Sequence, residues 1–485
     1  MSTISHIRRH WAVFLGLFIA LAVWCAVDVS RRAQVDRLRP GLHKTDVTVY
    51  IEAGRAFFDG RDPYEVANIR GWKYLYPPLF ALLISPLANL TEPWQATVWF
   101  AISLLMCFGI YFECRRLLKH ILAAEETRTQ GESRLNVPVW ISIAAAGTTV
   151  LPALNCLQRG QMGIALLYPL LLGFRLIVAG RSRRGWLVGG MILALPVALK
   201  LTPLLPVACI LFVCILTAGS TAIRRPTLDQ GGPQTRLPQR AVWSTAGCLA
   251  GSALFFLLLP ASLVGWDKNL HYLETWHEKV ATKVNDVRTN DFGENVDSPR
   301  NQSLANAAYR FGNWAAYEFA GGPFDAKTGK EHGSMPMDAP LASQMLLVLR
   351  CLALVILLLV AIRAGLSASP LLGGVALGLS SVATLVVSPV ARGHYFVLFL
   401  PAALFVPLWF IKCGAPRRAF RGAVVPALLV VAHYALLEYT GRVGLLGIGT
   451  TLWYFAASTQ IAFGRTAVTP SVDQVNTPLA LPRAA

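Results

Sequence analysis

Residues 343–362 read SQMLLVLRCLALVILLLVAI, twenty positions carrying a single charged side chain, Arg350. An α-helix needs roughly 20 mostly apolar residues to cross a bilayer, and this stretch supplies them. Comparable runs fall at 11–28, 94–113, 138–154, 161–178, 185–199, 201–218, 241–264, 370–388, 395–411, 423–438 and 443–463. The whole set makes about twelve spans, give or take two. Composition agrees: 54% of the 485 residues are hydrophobic and 14% charged, with a mean hydropathy of +0.50. The expected fold is an all-α, multispanning helical bundle of about ten to thirteen transmembrane helices with external juxtamembrane helices.

The formal charge of +18 would suit a nucleic-acid partner, but its placement argues against one. Arg8 and Arg9, Arg115, Arg116 and Lys119, Arg181, Arg183 and Arg184, Arg224 and Arg225, and Lys412, Arg417, Arg418 and Arg421 fall on one side when the spans alternate. Basic clusters in short loops mark the cytoplasmic side, so both termini are expected there, in a plasma-membrane protein. The other side receives two long polar loops, 29–93 and 265–342. The chain is thus expected to form one polytopic domain, 1–465, followed by a disordered cytoplasmic tail, 466–485, containing Pro470, Pro478 and Pro482. The first span resembles a signal peptide without a small-residue cleavage pattern and reads as a retained anchor. Both outer loops lack cysteine, and most of the nine cysteines sit within spans, so no disulfide framework is implied.

The first outer loop has its own organisation. From Thr45 to Asp59 the spacing of Val49, Ala53 and Phe57 predicts an amphipathic helix lying on the membrane, with Thr45 as candidate N-cap and Gly60 as its stop. Asp46 and Tyr50, four residues apart, share a face, and free N–H groups of the first turn favour a carboxylate there. Asp62-Pro63-Tyr64 makes a turn, and the stretch 79–90, introduced by Tyr76-Pro77-Pro78, is too short to span and is expected to dip or lie flat. Three cationic turns are predicted on the same side as Asp46: Arg159-Gly160-Gln161, Lys200 through Pro203, and Arg392-Gly393-His394-Tyr395. Any one of them alone can snorkel to the headgroups. Together beside one acid they would form an anion site suited to a lipid phosphate.

The second loop carries Asn301-Gln302-Ser303-Leu304 and Arg310, after a stretch with Trp266, His271, Trp276 and His277. The tryptophans suit interface anchors, and Asn301-Gln302-Ser303 also matches an N-glycosylation acceptor. There is no Gly-rich phosphate loop, no Gly-x-Ser-x-Gly and no Cys or His pair at metal-ligand spacing, so neither a cofactor nor a metal is expected.

Asp46 with Tyr50, Gly60 through Tyr64, Tyr76-Pro77-Pro78, Gly160-Gln161, Lys200 with Pro203, Asn301 through Leu304, and Ser388-Pro389 with His394-Tyr395 resemble, in order and spacing, glycosyltransferase family 87 of the GT-C superfamily. The resemblance runs from about residue 40 to 410. It implies a multispanning enzyme that uses a polyprenyl-phosphate sugar, usually mannose, with its active site facing away from the cytoplasm. It also implies that Asp46 acts as general base on the acceptor hydroxyl and that Lys200 and His394 lie near the donor phosphate or acceptor headgroup. Where such sequences usually carry a small residue and Trp before the His, this one has Ala391 and Arg392, exchanging an aromatic wall for a cation.

The residues themselves support the same chemistry. A glycosyl phosphate needs an acceptor hydroxyl in line, removal of its proton, and stabilisation of the departing phosphate. Asp46 suits the second task, and Lys200, Arg159, Arg392 or His394 the third. Tyr50, Tyr76, Gln161, Asn301, Gln302, Arg310 and Tyr395 complete the expected substrate-binding set. A single displacement inverts the anomeric centre, and paired carboxylates for retention are not evident, Glu52, Asp59 and Asp62 being the nearest acids. The expected function is transfer of a hexose, mannose first, to a lipid-linked or cell-surface glycan. Two other readings stand beside it: a lipid-linked glycan transporter or flippase, which would favour mid-bilayer charges and repeated, broken spans, and a non-catalytic glycolipid-binding membrane protein, which would not need Asp46.

Overall fold

A computed structural model describes residues 19–20, 22–128, 137–224, 237–281, 300–307 and 340–464. These residues form an all-α, multispanning membrane protein. The first described helix, α1, covers residues 22–32. The outer-loop helices α2 (Val47–Asp59) and α3 (Pro78–Ile84) follow, then α4 (Glu92–Arg128), α5 (Val139–Arg159), α6 (Gly163–Ala179), α7 (Arg183–Leu199) and α8 (Leu204–Arg224). Helix α9 (Leu237–Ser252) runs through a π-helical turn, Ala253–Leu258, into α10 (Leu259–Val264), and α11 (Trp266–Trp276) leaves it at Gly265. The second half holds α12 (Pro340–Ser367), α13 (Pro370–Val387), a 3₁₀ segment Gly393–Phe399 leading into α14 (Leu400–Lys412), α15 (Pro416–Ala435) and α16 (Leu445–Phe463). Among the described residues extended pairing is limited to two isolated bridges, Ala67 with Lys73 and Asn301 with Arg392.

Among the described residues seven helical stretches are long and apolar enough to cross a membrane: Glu92–Thr127, Val139–Arg159, Leu204–Thr221, Leu237–Val264, Gln344–Ser367, Pro370–Val387 and Gly393–Lys412. That is fewer than the twelve read from apolar runs: the run 11–28 lies largely outside the described residues, and several others become shorter or more polar helices. Gly163–Ala179 has 17 residues, and α7, α15 and α16 carry arginines or clustered small polar side chains. Stretch 79–90 becomes α3 and a 3₁₀ turn, Ser85–Asn89. All nine cysteines are free thiols.

Helix α13 and the stretch Gly393–Lys412 form the centre, with 83% of each apolar window buried, against 17–44% for the other five. The outer helices therefore present apolar side chains outward: Ile143, Leu249, Leu347 and Leu428 are each more than half exposed. In water such a belt would be a liability; in lipid it is the solvent-facing surface. Close helix contact then depends on small residues rather than on the hydrophobic effect. At the α7–α9 crossing, a Cβ on Gly190 or Gly247 would lie 2.0 Å from the carbonyl oxygen of Ser244 or Leu187.

One end of the bundle is tied by a buried carboxylate. Glu125 near the end of α4 pairs with Lys412 at the end of α14 and accepts from Ser369 Oγ (2.8 Å) and Leu371 N (3.3 Å) at the start of α13. The opposite end carries α2 and α3. Val49, Ala53 and Phe57 are buried as the spacing predicts, but so are Val47, Tyr50, Ile51, Gly54 and Ala56. Helix α2 is therefore packed inside the outer domain, against Tyr74, Tyr76, Phe80, Trp99 and Met162, rather than floated on a single apolar stripe.

Candidate active site

The start of α2 departs from expectation at one point. Asp46, not Thr45, occupies the N-cap position, and its side chain makes no capping bond. Thr45 Oγ1 instead accepts from Val47 N (3.3 Å) and donates to the Arg159 carbonyl (3.3 Å), while Asp46 N donates to the same carbonyl at 2.9 Å. The α5–α6 turn is thereby docked on the entry to α2. Gly160 permits it: its φ is +67°, and Trp99 Nε1 donates to its carbonyl at 3.0 Å. Asp46 is 8% exposed and faces the guanidinium of Arg159 at 4.0 Å.

Arg159 also lines a cavity of about 470 Å³ at this end of the bundle. Six cations line it: Arg32, Lys44, Arg70, Arg159, Arg300 and Arg392. No carboxylate is among the described lining residues, which also include Trp72, Asn155, His394, His433 and Tyr434. Like charges held together repel unless an anion sits among them, so the lining is built for a negatively charged ligand. His394 is 2% exposed, and its Nε2 has no hydrogen-bond partner among the described residues.

Lys200 lies beside this cavity rather than among its lining residues. Its ammonium donates to Tyr395 Oη at 2.5 Å and stands 4.8 Å from the centre of the Tyr76 ring. Tyr76 and Tyr50 pair through their hydroxyls at 3.4 Å, and Tyr395 packs edge-on against His394, with centroids 4.6 Å apart. Burial pushes the Tyr50 phenol well above its ordinary value and raises that of Tyr76 against the opposing pull of Lys200. Both are neutral hydroxyls at physiological pH. The residues singled out in the sequence thus divide into a cationic cavity holding Arg159, Arg392 and His394, and an adjoining tyrosine cage around Lys200. Gln161 is buried in the docked turn, 4% exposed.

Asn301 and Gln302 bond to the backbone of neighbouring loops. Asn301 Oδ1 accepts from Ala391 N (3.0 Å) and Ser303 N (3.1 Å), and Gln302 N donates to the Ala391 carbonyl at 2.7 Å. The Gln302 amide reaches the Gly441 carbonyl at 3.2 Å. Together they hold the Arg392 loop in place. At 1% exposure, Asn301 offers no accessible amide for glycosylation. Arg310 lies outside the described residues. The nearby acids have structural partners: Glu52 pairs with Arg55 (2.6 Å), Asp59 with Arg61 (2.9 Å) and Asp62 with Lys279 (2.7 Å).

Trp72 and Arg70 were not singled out by sequence. They ride on a short hairpin closed by Asn68, whose side-chain oxygen accepts from Arg70 N (2.9 Å) and Trp72 N (3.1 Å). Its amide donates to Thr48 Oγ1 at 3.3 Å, which ties the hairpin to α2. The guanidinium of Arg70 lies 4.6 Å from the Trp72 ring centre and that of Arg159 lies 5.9 Å from it. An aromatic surface thus reaches the cavity from the first outer loop, although Arg392, two positions before His394, is a cation.

A polyprenol-phosphate-mannose-dependent alpha-(1-2)-phosphatidylinositol mannoside mannosyltransferase of Mycolicibacterium smegmatis is 24% identical over 410 residues, covering 81% of this chain and 74% of that protein. The family model of glycosyltransferase family 87 matches residues 74–389. Asp46 and His394 fall outside that match. The matched segment spans most of the chain, from the tyrosine cage to the end of α13, and the chain belongs to glycosyltransferase family 87.

Proposed function

We propose that this glycosyltransferase moves a hexose, mannose in the first instance, from a polyprenyl-phosphate donor to a lipid-linked or cell-surface glycan acceptor on the non-cytoplasmic face of the plasma membrane. The observation that carries the reading is the cavity with six cations and no carboxylate among its described lining residues, which shares Arg159 with Asp46. In the proposed reaction the acceptor oxygen attacks the anomeric carbon from the face opposite the phosphate. The C–O bond to phosphate breaks with its electron pair, and the acceptor proton passes to Asp46. Arg159, Arg392 and their neighbours offset the charge gathering on the departing phosphate, and the anomeric centre inverts. The relative's name adds weight to a mannosyl donor and makes a phosphatidylinositol mannoside the first acceptor to test.

The orientation has support of its own. The clusters at Arg115–Lys119, Arg181–Arg184 and Lys412–Arg421 belong to the end that holds the Glu125–Lys412 pair, opposite the cavity, as expected if that end is cytoplasmic.

The test is transfer of radiolabelled mannose from polyprenyl-phosphate mannose to phosphatidylinositol mannoside and to total lipid by purified wild type and Asp46→Asn. A positioned general base contributes about 10²–10⁴-fold, and the variant should lose that much in kcat with little change in donor KM. Equal rates would remove Asp46 as base. No transfer by wild type, with donor or acceptor movement across a vesicle membrane instead, would move the reading to transport.

A further inference from the structure

Two kinds of polar side chain line the cavity. Its six cations come from the first outer loop and from Arg159, Arg300 and Arg392. The other polar groups carry no fixed charge: Asn155, one turn before Arg159 on α5, His394, and His433 with Tyr434 in the last turn of α15. Neither α15 residue falls within the segment matched by the family model. The ring of Tyr434 packs edge-on against His433, with centroids 5.5 Å apart. Its Oη, however, is buried and has no hydrogen-bond partner among the described residues. Phenylalanine would fill the same space without stranding a hydroxyl, so packing accounts for the ring and not for the oxygen. A Cβ at Gly393 would stand 2.8 Å from Tyr434 Oη and 3.6 Å from His433 Nε2. Both atoms therefore lie against the backbone between Arg392 and His394, at a position that the missing side chain leaves open. Arg392 serves the departing phosphate in the proposed reaction, and one bridging oxygen joins that phosphorus to the anomeric carbon. The sugar ring then lies beside the phosphate contacts, where a neutral phenol, able both to donate and to accept, matches a ring hydroxyl.

We infer that Tyr434 is a specificity-determining residue, its hydroxyl binding one hydroxyl of the transferred hexose, with His433 and Asn155 alongside. This rests on the polyprenyl-phosphate donor reading, and its test keeps the two apart. Wild type and Tyr434→Phe in nanodiscs are titrated with polyprenyl-phosphate mannose and with sugar-free polyprenyl phosphate. Transfer is then measured with mannosyl donors lacking, one at a time, the hydroxyls at C2, C3, C4 and C6. Tyr434→Phe should weaken the sugar-bearing lipid by roughly three- to tenfold, the scale of one neutral hydrogen bond, and leave the sugar-free lipid unchanged. One deoxy donor should lose a similar factor in wild-type kcat/KM yet lose nothing further in Tyr434→Phe, while the other three lose equally in both proteins. Equal weakening of both lipids would make Tyr434 a structural residue and overturn the inference. So would unchanged binding of both lipids, or losses that simply add for all four deoxy donors. Tyr434-dependent binding of the sugar-bearing lipid with no transfer by wild type would sink the donor reading and leave the sugar contact standing.

Discussion

Gly160→Ala tests whether the position of Asp46 depends on the α5–α6 turn. Gly160 has φ +67°, where a non-glycine residue costs of order 1–3 kcal/mol. A Cβ there would stand 2.1 Å from Val47 Cγ2 and 3.1 Å from Thr45 Oγ1, while ordinary contact begins at 3.4 Å. Val47 would have to retreat by about 1.3 Å to restore contact. It cannot move alone, because Thr45 Oγ1 and Asp46 N are both bonded to the Arg159 carbonyl. The retreat therefore carries the Asp46 carboxylate away from Arg159 and the cavity. A displacement of about 1 Å at a reacting group can cost roughly 10²-fold, and that is the expected fall in kcat, accompanied by a lower Tm.

The assay is mannosyl transfer under donor saturation, with donor KM and detergent-solubilised Tm measured in parallel. The discriminating variant is the pair Gly160→Ala with Val47→Ala, which removes the 2.1 Å contact but keeps the left-handed strain. It should regain most of the rate while remaining less stable than wild type. A single variant with wild-type kcat, or a pair no faster than the single variant, would refute the claim that this turn positions Asp46.

Three further outcomes follow from other contacts. Asn301→Ala strands two buried N–H groups, at about 1–3 kcal/mol each, and loosens the Arg392 loop; donor KM should rise several-fold and Tm fall, while Asn301→Asp, which keeps an acceptor oxygen, should be milder on both measures. Lys412→Met removes the cation from buried Glu125, a loss of about 3–5 kcal/mol; Tm should drop sharply while kcat well below Tm holds, since the pair lies at the end away from the cavity. His43, fully buried with Nε2 2.7 Å from Thr48 Oγ1, has its pKa lowered below the ordinary 6.5, first by burial, with Arg70 adding to the effect. The fold therefore holds it neutral while the unfolded chain takes up a proton, so stability should be flat above about pH 6.5 and decline as pH falls from there toward the lowered value; an acid limb in the thermal-shift profile unchanged in His43→Gln would refute this.

Much of the architecture was legible because bilayer chemistry acts on composition. A run such as 343–362 has few other homes, and the stop of α2 at Gly60 needs only a left-handed residue, which glycine supplies at φ 75°. The start of the same helix was misread by one residue because Thr45 is a good cap by type. Its hydroxyl is committed to the Arg159 carbonyl and Val47 N, contacts that depend on a turn more than a hundred residues away. Trp72 and Arg70 were missed for a related reason. Nothing in Asn68-Ile69-Arg70-Gly71-Trp72 distinguishes a surface hairpin from a cavity wall, and the distinction comes from the Asn68–Thr48 bond.

The roles of Asn301 and Gln302 illustrate the limit of motif reasoning. A short polar motif in an outer loop of an enzyme invites assignment to substrate, and both residues do belong to the site's neighbourhood. Their side chains are nonetheless bonded to the backbone at Ala391, Ser303 and Gly441. A loop bearing a cation next to other cations is electrostatically unfavourable, and buried hydrogen bonds from a neighbouring segment can hold it against that repulsion. The motif that looks like a ligand contact is then a clamp on the backbone of the Arg392 loop. The cavity is assembled in the same way from turns far apart in sequence, each too short to identify by itself, so that their order along the chain carries more information than any one of them.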